Sequence, residues 1–336
     1  MMSRVAGFVL IVAIDVSAVV GAIAHGRVAK AAVEPASQLV TVEPGVQLQV
    51  LDWGGRGRPL VFLAGLGDTA HVYDQFAPRF TAQYHVYGIT RRGFGASSKP
   101  EPTDANYSAA RLGEDVVAVI DALHLDRPVL AGHSIAGEEL SWVGSHDPNK
   151  VAGLIYLDAG DAYGFYDRAR GDTWIDMLAV KRQLDGLRAG AIIDQAWRTG
   201  LEANAAQLEK DLKADVQEWS AIPDAAAPPP PPPIPLAVLF GEEKFTTIHD
   251  PAMAIFACPH DLSGMFRGPL EGDAAAQAAM KANDLKRCSE QSAAFEAAMP
   301  WVPVVRIRDA NHHVFVSNPD VVERAMNDFL AKLPAR

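Results

Sequence analysis

One stretch near the middle of the chain restricts the fold more than any other: residues 130–137, which read LAGHSIAG. An apolar run that ends at Leu130 is typical of a short buried strand, and an apolar pattern of helical period begins just after Ser134. Small residues stand two positions to either side of this serine, at Gly132 and Ala136. Such spacing is needed where a strand turns directly into a helix around a serine at the apex. The stretch therefore predicts a tight strand–turn–helix unit.

This unit has a chemical meaning as well as a structural one. The sharp turn holds the serine backbone in a strained conformation and exposes its hydroxyl at the end of the strand. The N-terminus of the following helix then presents free N–H groups to negative charge that develops on a reacting carbonyl. The match to G-x-S-x-G is imperfect, because Ala136 replaces the last glycine and Gly137 follows it. Two interpretations stand: a nucleophilic Ser134, or a glycine turn whose serine caps a helix.

Apolar runs that predict strands alternate with patterns that predict helices over most of the chain. The strand runs are residues 39–42 and 46–51, which predict a hairpin, and then residues 59–64, 84–89, 128–131, 151–157, 253–257 and 304–307. The helical patterns cover residues 71–80, 107–124, 273–298 and 321–333. Strands that alternate with helices predict an α/β fold with a mostly parallel, doubly wound sheet.

The alternation stops in the second half of the chain. Residues 161–250 contain mainly amphipathic helical patterns rich in aromatic side chains, and a proline run at 228–233 predicts a stiff, extended connector. Residues 236–241 form one further apolar run, which is a candidate strand. We therefore expect a core of residues 38–160 and 251–336, and an inserted helical cap over residues 161–250. The aromatic and alanine content of the cap suits a small apolar substrate.

The N-terminus has the three parts of a secretory signal. Arg4 precedes an apolar run at residues 5–24, and the run ends in the A-x-A pattern at Ala24. Asp15 lies inside the run and makes a stable membrane span costly. We expect an exported protein, periplasmic or secreted, in which residues 1–37 are a signal and leader. The alternative is a membrane anchor formed by residues 5–24, which would be the chain's one association with a membrane.

Composition and charge exclude some classes of partner. The chain has 336 residues, of which 49% are hydrophobic, and this is ample for a large core. Its net charge of -11 and its lack of a basic block argue against nucleic acid as a partner. Two cysteines, Cys258 and Cys288, lack metal-ligand spacing but suffice for one disulfide in an oxidising compartment. We expect a small-molecule substrate, no cofactor and no metal.

From about Leu39 to its C-terminus, the chain resembles the α/β-hydrolase family. Four segments carry the resemblance, and they follow one another in the family's order: the oxyanion loop at residues 64–67, the Arg-Gly-x-Gly-x-Ser loop at residues 92–97, the elbow at residues 132–136, and the histidine loop with Asn311, His312 and Pro319. Ala64 stands where the family usually has the histidine of its oxyanion loop. The resemblance implies the α/β-hydrolase fold and a carboxylesterase-like serine hydrolase.

A serine hydroxyl needs a base within hydrogen-bond reach, and the base needs a carboxylate that fixes its tautomer. His312 is the predicted base, because it follows the last strand and so lies at the sheet edge where Ser134 emerges. The neighbouring His313 should point elsewhere, and His133 is expected to be structural. Together with a carboxylate, Ser134 and His312 would form a catalytic triad.

The carboxylate has several candidates, since the chain order should be serine, then acid, then histidine. Asp261 is preferred, because it comes just past the last strand before the final helix–strand unit. Asp158 ends the strand after the elbow helix and is an alternative. Glu242 and Glu243 follow the candidate strand behind the proline run and are further alternatives.

The oxyanion hole needs backbone N–H groups, and we expect those of Leu66 and Ile135 to form it. The predicted reaction is hydrolysis of an ester or related acyl bond of a small apolar substrate through an acyl-enzyme. Two alternatives remain: a catalytically silent hydrolase-like protein that binds a ligand, and a cofactor-free peroxidase or C–C hydrolase with the same triad. Ser134 argues against an epoxide hydrolase or haloalkane dehalogenase, which would need an aspartate at the elbow.

Overall fold

The computed structural model describes residues 34–219, 232–248, 251–266 and 272–334. Its centre is one eight-stranded sheet with the order β1-β2-β4-β3-β5-β6-β7-β8. The strands are β1 Ala36–Glu43, β2 Val46–Gly54, β3 Pro59–Leu63, β4 His85–Ile89, β5 Val129–His133, β6 Gly153–Leu157, β7 Ala252–Ala257 and β8 Val304–Ile307. Strands β3 to β8 are parallel to their neighbours among themselves, and β2 is antiparallel to both β1 and β4.

Helices lie between the strands, as expected for a doubly wound sheet. In the described residues the α-helices are α1 Asp104–Tyr107, α2 Ala109–Ala122, α3 Gly137–His146, α4 Thr173–Arg188, α5 Gln195–Trp219, α6 Pro233–Phe240, α7 Ala274–Ala298, α8 Val314–Ser317 and α9 Pro319–Leu330. The predicted α/β class is confirmed, as are the hairpin of β1 and β2 and the strand–helix alternation on both sides of Ser134.

Each central strand contributes to two apolar layers, one on each face of the sheet. In β3, Leu60 and Phe62 belong to one buried cluster and Val61 and Leu63 to the other. Successive side chains of a strand point to opposite faces, so a strand covered by helices on both sides must be apolar throughout. Helices α2, α3 and α7 cover the face of Val61, and α9 covers the face of Phe62.

Two segments differ from their predicted secondary structure. The helix predicted over residues 71–80 is a pair of short 3-10 turns, Ala70–Tyr73 and Ala77–Phe80, with Pro78 in the second. A proline lacks the N–H group that an uninterrupted α-helix would need there. The run at residues 236–241 lies mostly in α6 and not in a strand. A short apolar run fits either structure by its periodicity, and Pro233 supplies the preorganised first residue of a helix.

Some predictions concern residues that the structure does not describe. The signal or anchor at residues 5–24 lies wholly outside the described residues, as does most of the proline run. Among the described residues, none of the helices combines the length and the apolar character that a membrane span requires. Export and anchoring therefore stay predictions.

The topology gathers several loops at one edge of the sheet. The carboxyl ends of parallel strands meet at the same edge, where the active sites of open α/β sheets are built. Ser134 follows β5, Asp158 follows β6 and His312 lies beyond β8. Helices α4, α5 and α6 come between β6 and β7 along the chain, and residues of α6 share a buried apolar cluster with Leu66 and Ile135.

Candidate active site

Ser134 occupies the apex of the turn between β5 and α3, and it is almost fully buried. Its backbone has a φ of 54°, in the left-handed region that side chains other than glycine rarely adopt. Such strain persists only where the surrounding structure holds it, and it is common at functional sites. The predicted strand–turn–helix geometry is present.

The close packing around this turn explains the departure from G-x-S-x-G. A Cβ atom at Gly137 would lie 2.1 Å from the carbonyl oxygen of Ala159, whereas Ala136 is accommodated. At Gly132 a Cβ atom would lie 3.0 Å from the carbonyl oxygen of Ala136. The second obligatory glycine of this elbow is therefore Gly137, one residue later than the general pattern.

His312 follows β8 and pairs with a buried carboxylate. Its Nδ1 lies 2.7 Å from Oδ2 of Asp158. The other oxygen of Asp158, Oδ1, accepts a hydrogen bond of 2.8 Å from the backbone N–H of Ala257. Burial alone would raise the pKa of Asp158, but hydrogen bonds from His260 and His312 outweigh it and lower this pKa well below its usual value. Asp158 is thus ionised, and it accepts a hydrogen bond from Nδ1 of His312, which carries the proton.

The prediction that Asp261 is the hydrogen-bond partner of His312 is wrong. Asp261 is exposed, and its Oδ1 accepts a hydrogen bond of 2.9 Å from the backbone N–H of Ser263. The alternative Asp158 fills that place, because it ends the strand next to β5 and its side chain turns inward. Glu242 is buried at the end of α6. In the hydrogen bonds of the described residues, neither it nor Glu243 joins His312.

A second histidine, which the sequence interpretation missed, binds the same carboxylate. Nε2 of His260 lies 2.8 Å from Oδ2 of Asp158, the atom that also receives His312. Nδ1 of His260 lies 2.7 Å from Oδ1 of Asp284 in α7. The signal for His260 is its place beyond the end of β7, one residue before Asp261.

The rings of His133 and His313 both lie close to the ring of His312. His133 is fully buried, and its Nε2 donates to the backbone carbonyl of His312 over 3.1 Å. Burial, together with the neighbouring His312 and His313, holds the pKa of His133 well below its usual value. Nε2 of His313 lies 2.9 Å from Oδ2 of Asp68. His133 is therefore neutral, and His313 is directed to Asp68 in the loop after β3 and not to Asp158.

The loop after β3 passes directly beside the serine. A Cβ atom at Gly65 would lie 3.3 Å from Cβ of Ser134. Arg91 donates to the carbonyl oxygens of Ala64 and Gly65 over 3.1 and 3.3 Å and so fixes this loop. Leu66 follows in the same loop, and its side chain is buried in the cluster that contains Ile135.

The segment between β6 and α4 contributes a further polar group. The hydroxyl of Tyr163 interacts with the side chain of Ser134. Burial, and after it the charges of Asp161 and Asp158, raise the pKa of Tyr163 well above its usual value. Tyr163 therefore keeps its proton, and its ring packs beside the apolar cap residues Tyr166 and Ile175.

Two groups of side chains at this edge have spacings that would suit a metal ion. They are Asp158 with His260 and His312, and Asp68 with His133 and His313. In the first group both histidines donate N–H groups to the carboxylate, whereas a metal would need their lone pairs. In the second group His313 is likewise bonded to its carboxylate. We assign neither group as a metal site.

The comparisons with known proteins agree with this fold. A family model described as "Alpha/beta hydrolase family" matches residues 60–325. The 3-oxoadipate enol-lactonase 2 of Acinetobacter baylyi is 30% identical over 227 residues, which cover 64% of this chain and 82% of that enzyme. Epoxide hydrolase A of Mycobacterium tuberculosis is 38% identical over 101 residues, which cover 30% of this chain and 31% of that enzyme.

Solved structures extend the likeness over nearly the whole chain. The crystal structure of E-2-(acetamidomethylene)succinate hydrolase superposes with a TM-score of 0.53 and 18% identity, and covers 88% of this chain and 99% of that one. An identity this low supports the fold and not a substrate. The family match, the sheet and the elbow agree with the resemblance found in four sequence segments. The predicted assignment to the α/β-hydrolase enzymes is therefore confirmed. The chain belongs to the alpha/beta hydrolase family.

Proposed function

We propose that this protein is a serine hydrolase that cleaves an ester or related acyl bond through Ser134, His312 and Asp158. The observation that carries the proposal is the 2.7 Å hydrogen bond between Nδ1 of His312 and the buried Asp158. A histidine held in this way presents its Nε2 lone pair as a base. Ser134 supplies the nucleophile at the strained apex of the same sheet edge.

The reaction follows from these positions. Nε2 of His312 takes the hydroxyl proton while Oγ of Ser134 attacks the carbonyl carbon, and the charge of Asp158 stabilises the imidazolium that forms. Backbone N–H groups of Ile135 and Leu66 stabilise the negative oxygen of the tetrahedral intermediate. His312 then protonates the leaving group, and water hydrolyses the acyl-enzyme by the same steps.

The substrate class follows from the surroundings of the loop after β3. Phe94 and Ile234 are partly buried against the apolar cluster of Leu66 and Ile135. The support for an apolar substrate is this cluster itself, because it contains both proposed oxyanion residues next to Ser134. A small apolar acyl or alkyl group suits such surroundings better than a sugar or a peptide does.

The first experiment tests which carboxylate is the acid of the triad, Asp158 or Asp261. Asp158→Asn should lower kcat/KM on a short acyl ester by about 10²–10⁴-fold, because a neutral amide no longer stabilises the imidazolium. Asp261→Asn is the matched control and should change kcat/KM by less than about threefold, since Asp261 is exposed. The measurement is steady-state hydrolysis of esters of graded chain length, with circular dichroism to verify folding.

Ser134→Ala completes the test. It should abolish turnover and also prevent labelling by an organophosphorus reagent, which we expect to form one adduct on the unmodified enzyme. A folded Ser134→Ala variant with full esterase activity would refute the proposal. A protein that takes up no label and hydrolyses no ester would instead favour the silent ligand-binding alternative. Peroxidase or C–C hydrolase activity that exceeds ester hydrolysis would favour the alternative of a cofactor-free peroxidase or C–C hydrolase with the same triad.

A further inference from the structure

The hydrogen bonds at Asp158 give this carboxylate more partners than a triad requires. Its Oδ2 accepts hydrogen bonds from Nδ1 of His312 at 2.7 Å and from Nε2 of His260 at 2.8 Å. Its Oδ1 receives the backbone N–H of Ala257 at 2.8 Å. A carboxylate held by three donors that arrive from different strands and loops cannot rotate about its side-chain bonds. His260 is one of the groups that keep Oδ2 directed at His312.

The geometry also defines the charge of His260. Each of its ring nitrogens lies within 2.8 Å of a carboxylate oxygen, Nε2 beside Asp158 and Nδ1 beside Asp284. Carboxylates only accept, so both nitrogens must carry protons, and the ring is an imidazolium. Burial by itself opposes this charge, but the two carboxylates outweigh it and raise the pKa of His260 to about 11.

Asp284 holds His260 at two points. Its Oδ1 binds the ring, and its Oδ2 accepts a hydrogen bond of 2.7 Å from the backbone N–H of His260. One helical turn further along α7, Cys288 forms a disulfide with Cys258, two residues before His260. The carboxylates that hydrogen-bond His260 are Asp158 after β6 and Asp284 in α7. His312 after β8 shares Asp158, and its own ring lies against those of His133 and His313.

This arrangement has a consequence for proton transfer at His312. Its ring centroid lies 6.1 Å from that of His260, and the two rings share one oxygen of Asp158. When His312 takes the serine proton, a second positive charge forms next to the first. Like charges at this distance repel, and partly buried positions strengthen the repulsion.

We infer that His260 is a positioning residue of the reaction, which fixes Asp158 toward His312 and whose positive charge opposes protonation of His312. The inference rests on the proposed triad. Asp284 supplies the second negative charge, so the cluster around Asp158 carries the same net charge as a single carboxylate. His260 therefore offsets the charge of Asp284, and the cluster retains the single negative charge that stabilises the imidazolium in the transition state.

The test compares His260→Gln with His260→Ala. Glutamine is neutral but retains an N–H donor, so it should leave plateau kcat within about threefold while the acid limb of the kcat/KM profile moves up by roughly one pH unit. Alanine removes the donor as well, and kcat should fall by about 10–100-fold with KM changed less than about twofold. A purely structural role would not move the acid limb in this direction.

Asp261→Asn serves as the matched control, because it changes the neighbouring carboxylate that faces solvent. Its pH profile should equal that of the unmodified enzyme. An unshifted acid limb in folded His260→Gln would overturn the inference, as would a kcat within twofold in folded His260→Ala. His260→Asn repeats the charge test if the glutamine variant does not fold. Failure of both neutral variants to fold would make His260 a folding residue and also overturn it.

The two proposals fail in different ways. If Ser134→Ala and Asp158→Asn keep their activity, the proposed function is wrong. If both are inactive while the His260 variants show unchanged profiles, only the role of His260 is wrong.

Discussion

At the scale of single residues, the geometry of the elbow depends on which position lacks a side chain. Gly137 begins α3 next to the carbonyl oxygen of Ala159, at a separation where a Cβ atom has no room. The obstacle is backbone, which cannot swing aside as the end of a flexible side chain would. Ala136, by contrast, already carries its methyl group within the turn.

Gly137→Ala should therefore lower the free energy of unfolding by about 1–3 kcal/mol, as overpacking of a closed site does. It should also reduce kcat/KM, because relief of the contact displaces Ser134. Ala136→Gly is the matched variant and should retain activity. Thermal unfolding and ester hydrolysis check both. A Gly137→Ala protein with unchanged stability would show that the turn can relax.

The residues of the site differ in how far the sequence predicts them. Ser134 and His312 are located by local features, a strand–turn–helix pattern and a position just past the last strand. The acid is not local in this sense, because Asp158 and Asp261 both follow strands. Which of them reaches His312 depends on the direction of a side chain beyond its strand. Asp158 turns inward with a φ of 49°, and Asp261 turns to solvent.

At the scale of elements, the helices α4 and α5 meet through a pair of carboxyl groups. Asp176 of α4 is fully buried. It accepts a hydrogen bond of 2.7 Å from the hydroxyl of Tyr166 and forms an ion pair with Lys244. Asp211 of α5 interacts with Asp176. Burial, and then this hydrogen-bonded neighbour, raise the pKa of Asp211 to about 7. At lower pH Asp211 is therefore protonated. Its Oδ1 accepts a hydrogen bond of 2.8 Å from Gln207, and we expect the buried Oδ2 to carry the proton that it shares with Asp176.

This pair makes the packing of α4 on α5 dependent on pH. The folded-state pKa of Asp211 lies above its ordinary value, so its stabilising contribution is complete below about pH 4 and is lost as pH rises through about 7. We expect amide hydrogen exchange in α4 and α5, corrected for intrinsic rates, to be on the order of tenfold faster at pH 8 than at pH 5.

Asp211→Asn should remove most of that dependence, because an amide donates at every pH. Glu209→Gln, which alters an exposed carboxylate two residues earlier in α5, is the control and should leave the dependence intact. Equal corrected exchange at both pH values in the unmodified protein would contradict the assignment of a shared proton to this pair.

The elements show where sequence patterns suffice and where they do not. The strands β3, β5, β7 and β8 agree with their predicted ranges to within one residue at most ends, since apolar runs bounded by turn residues leave few alternatives. Helix α6 contains most of a run that the sequence offers as a candidate strand, because the run is short and wholly apolar. Pro233 at the start of the helix is the local signal for it, whereas its packing against Leu66 and Ile135 is a tertiary contact that periodicity does not reveal.

At the scale of the whole molecule, one buried cation connects parts of the chain that are far apart in sequence. Arg92 is completely buried, and its guanidinium binds both oxygens of Asp115 in α2 at 2.6 and 2.5 Å. It also lies 2.9 Å from Glu43 at the end of β1. The Arg-Gly-x-Gly-x-Ser loop, the hairpin and α2 are thus joined by one side chain.

Asp115→Asn should destabilise the protein by about 3–5 kcal/mol, because it leaves the buried charge of Arg92 with less compensation. Asp121→Asn, on the exposed surface of the same helix beside Lys150, should cost less than about 1 kcal/mol. Denaturant unfolding of the two variants measures the difference. Equal losses for the two would mean that Arg92 is compensated by Glu43 alone.

The segment between Asp158 and Phe165 follows β6 and is held by one side chain. The side-chain amide of Gln291 in α7 donates to the carbonyl oxygens of Gly160 and Phe165 over 2.7 and 3.0 Å. A Cβ atom at Gly164 would lie 2.2 Å from the carbonyl oxygen of Ala159. The same helix carries Asp284, which binds His260. Helix α7 therefore fixes both the backbone that follows Asp158 and the second histidine that contacts its carboxylate.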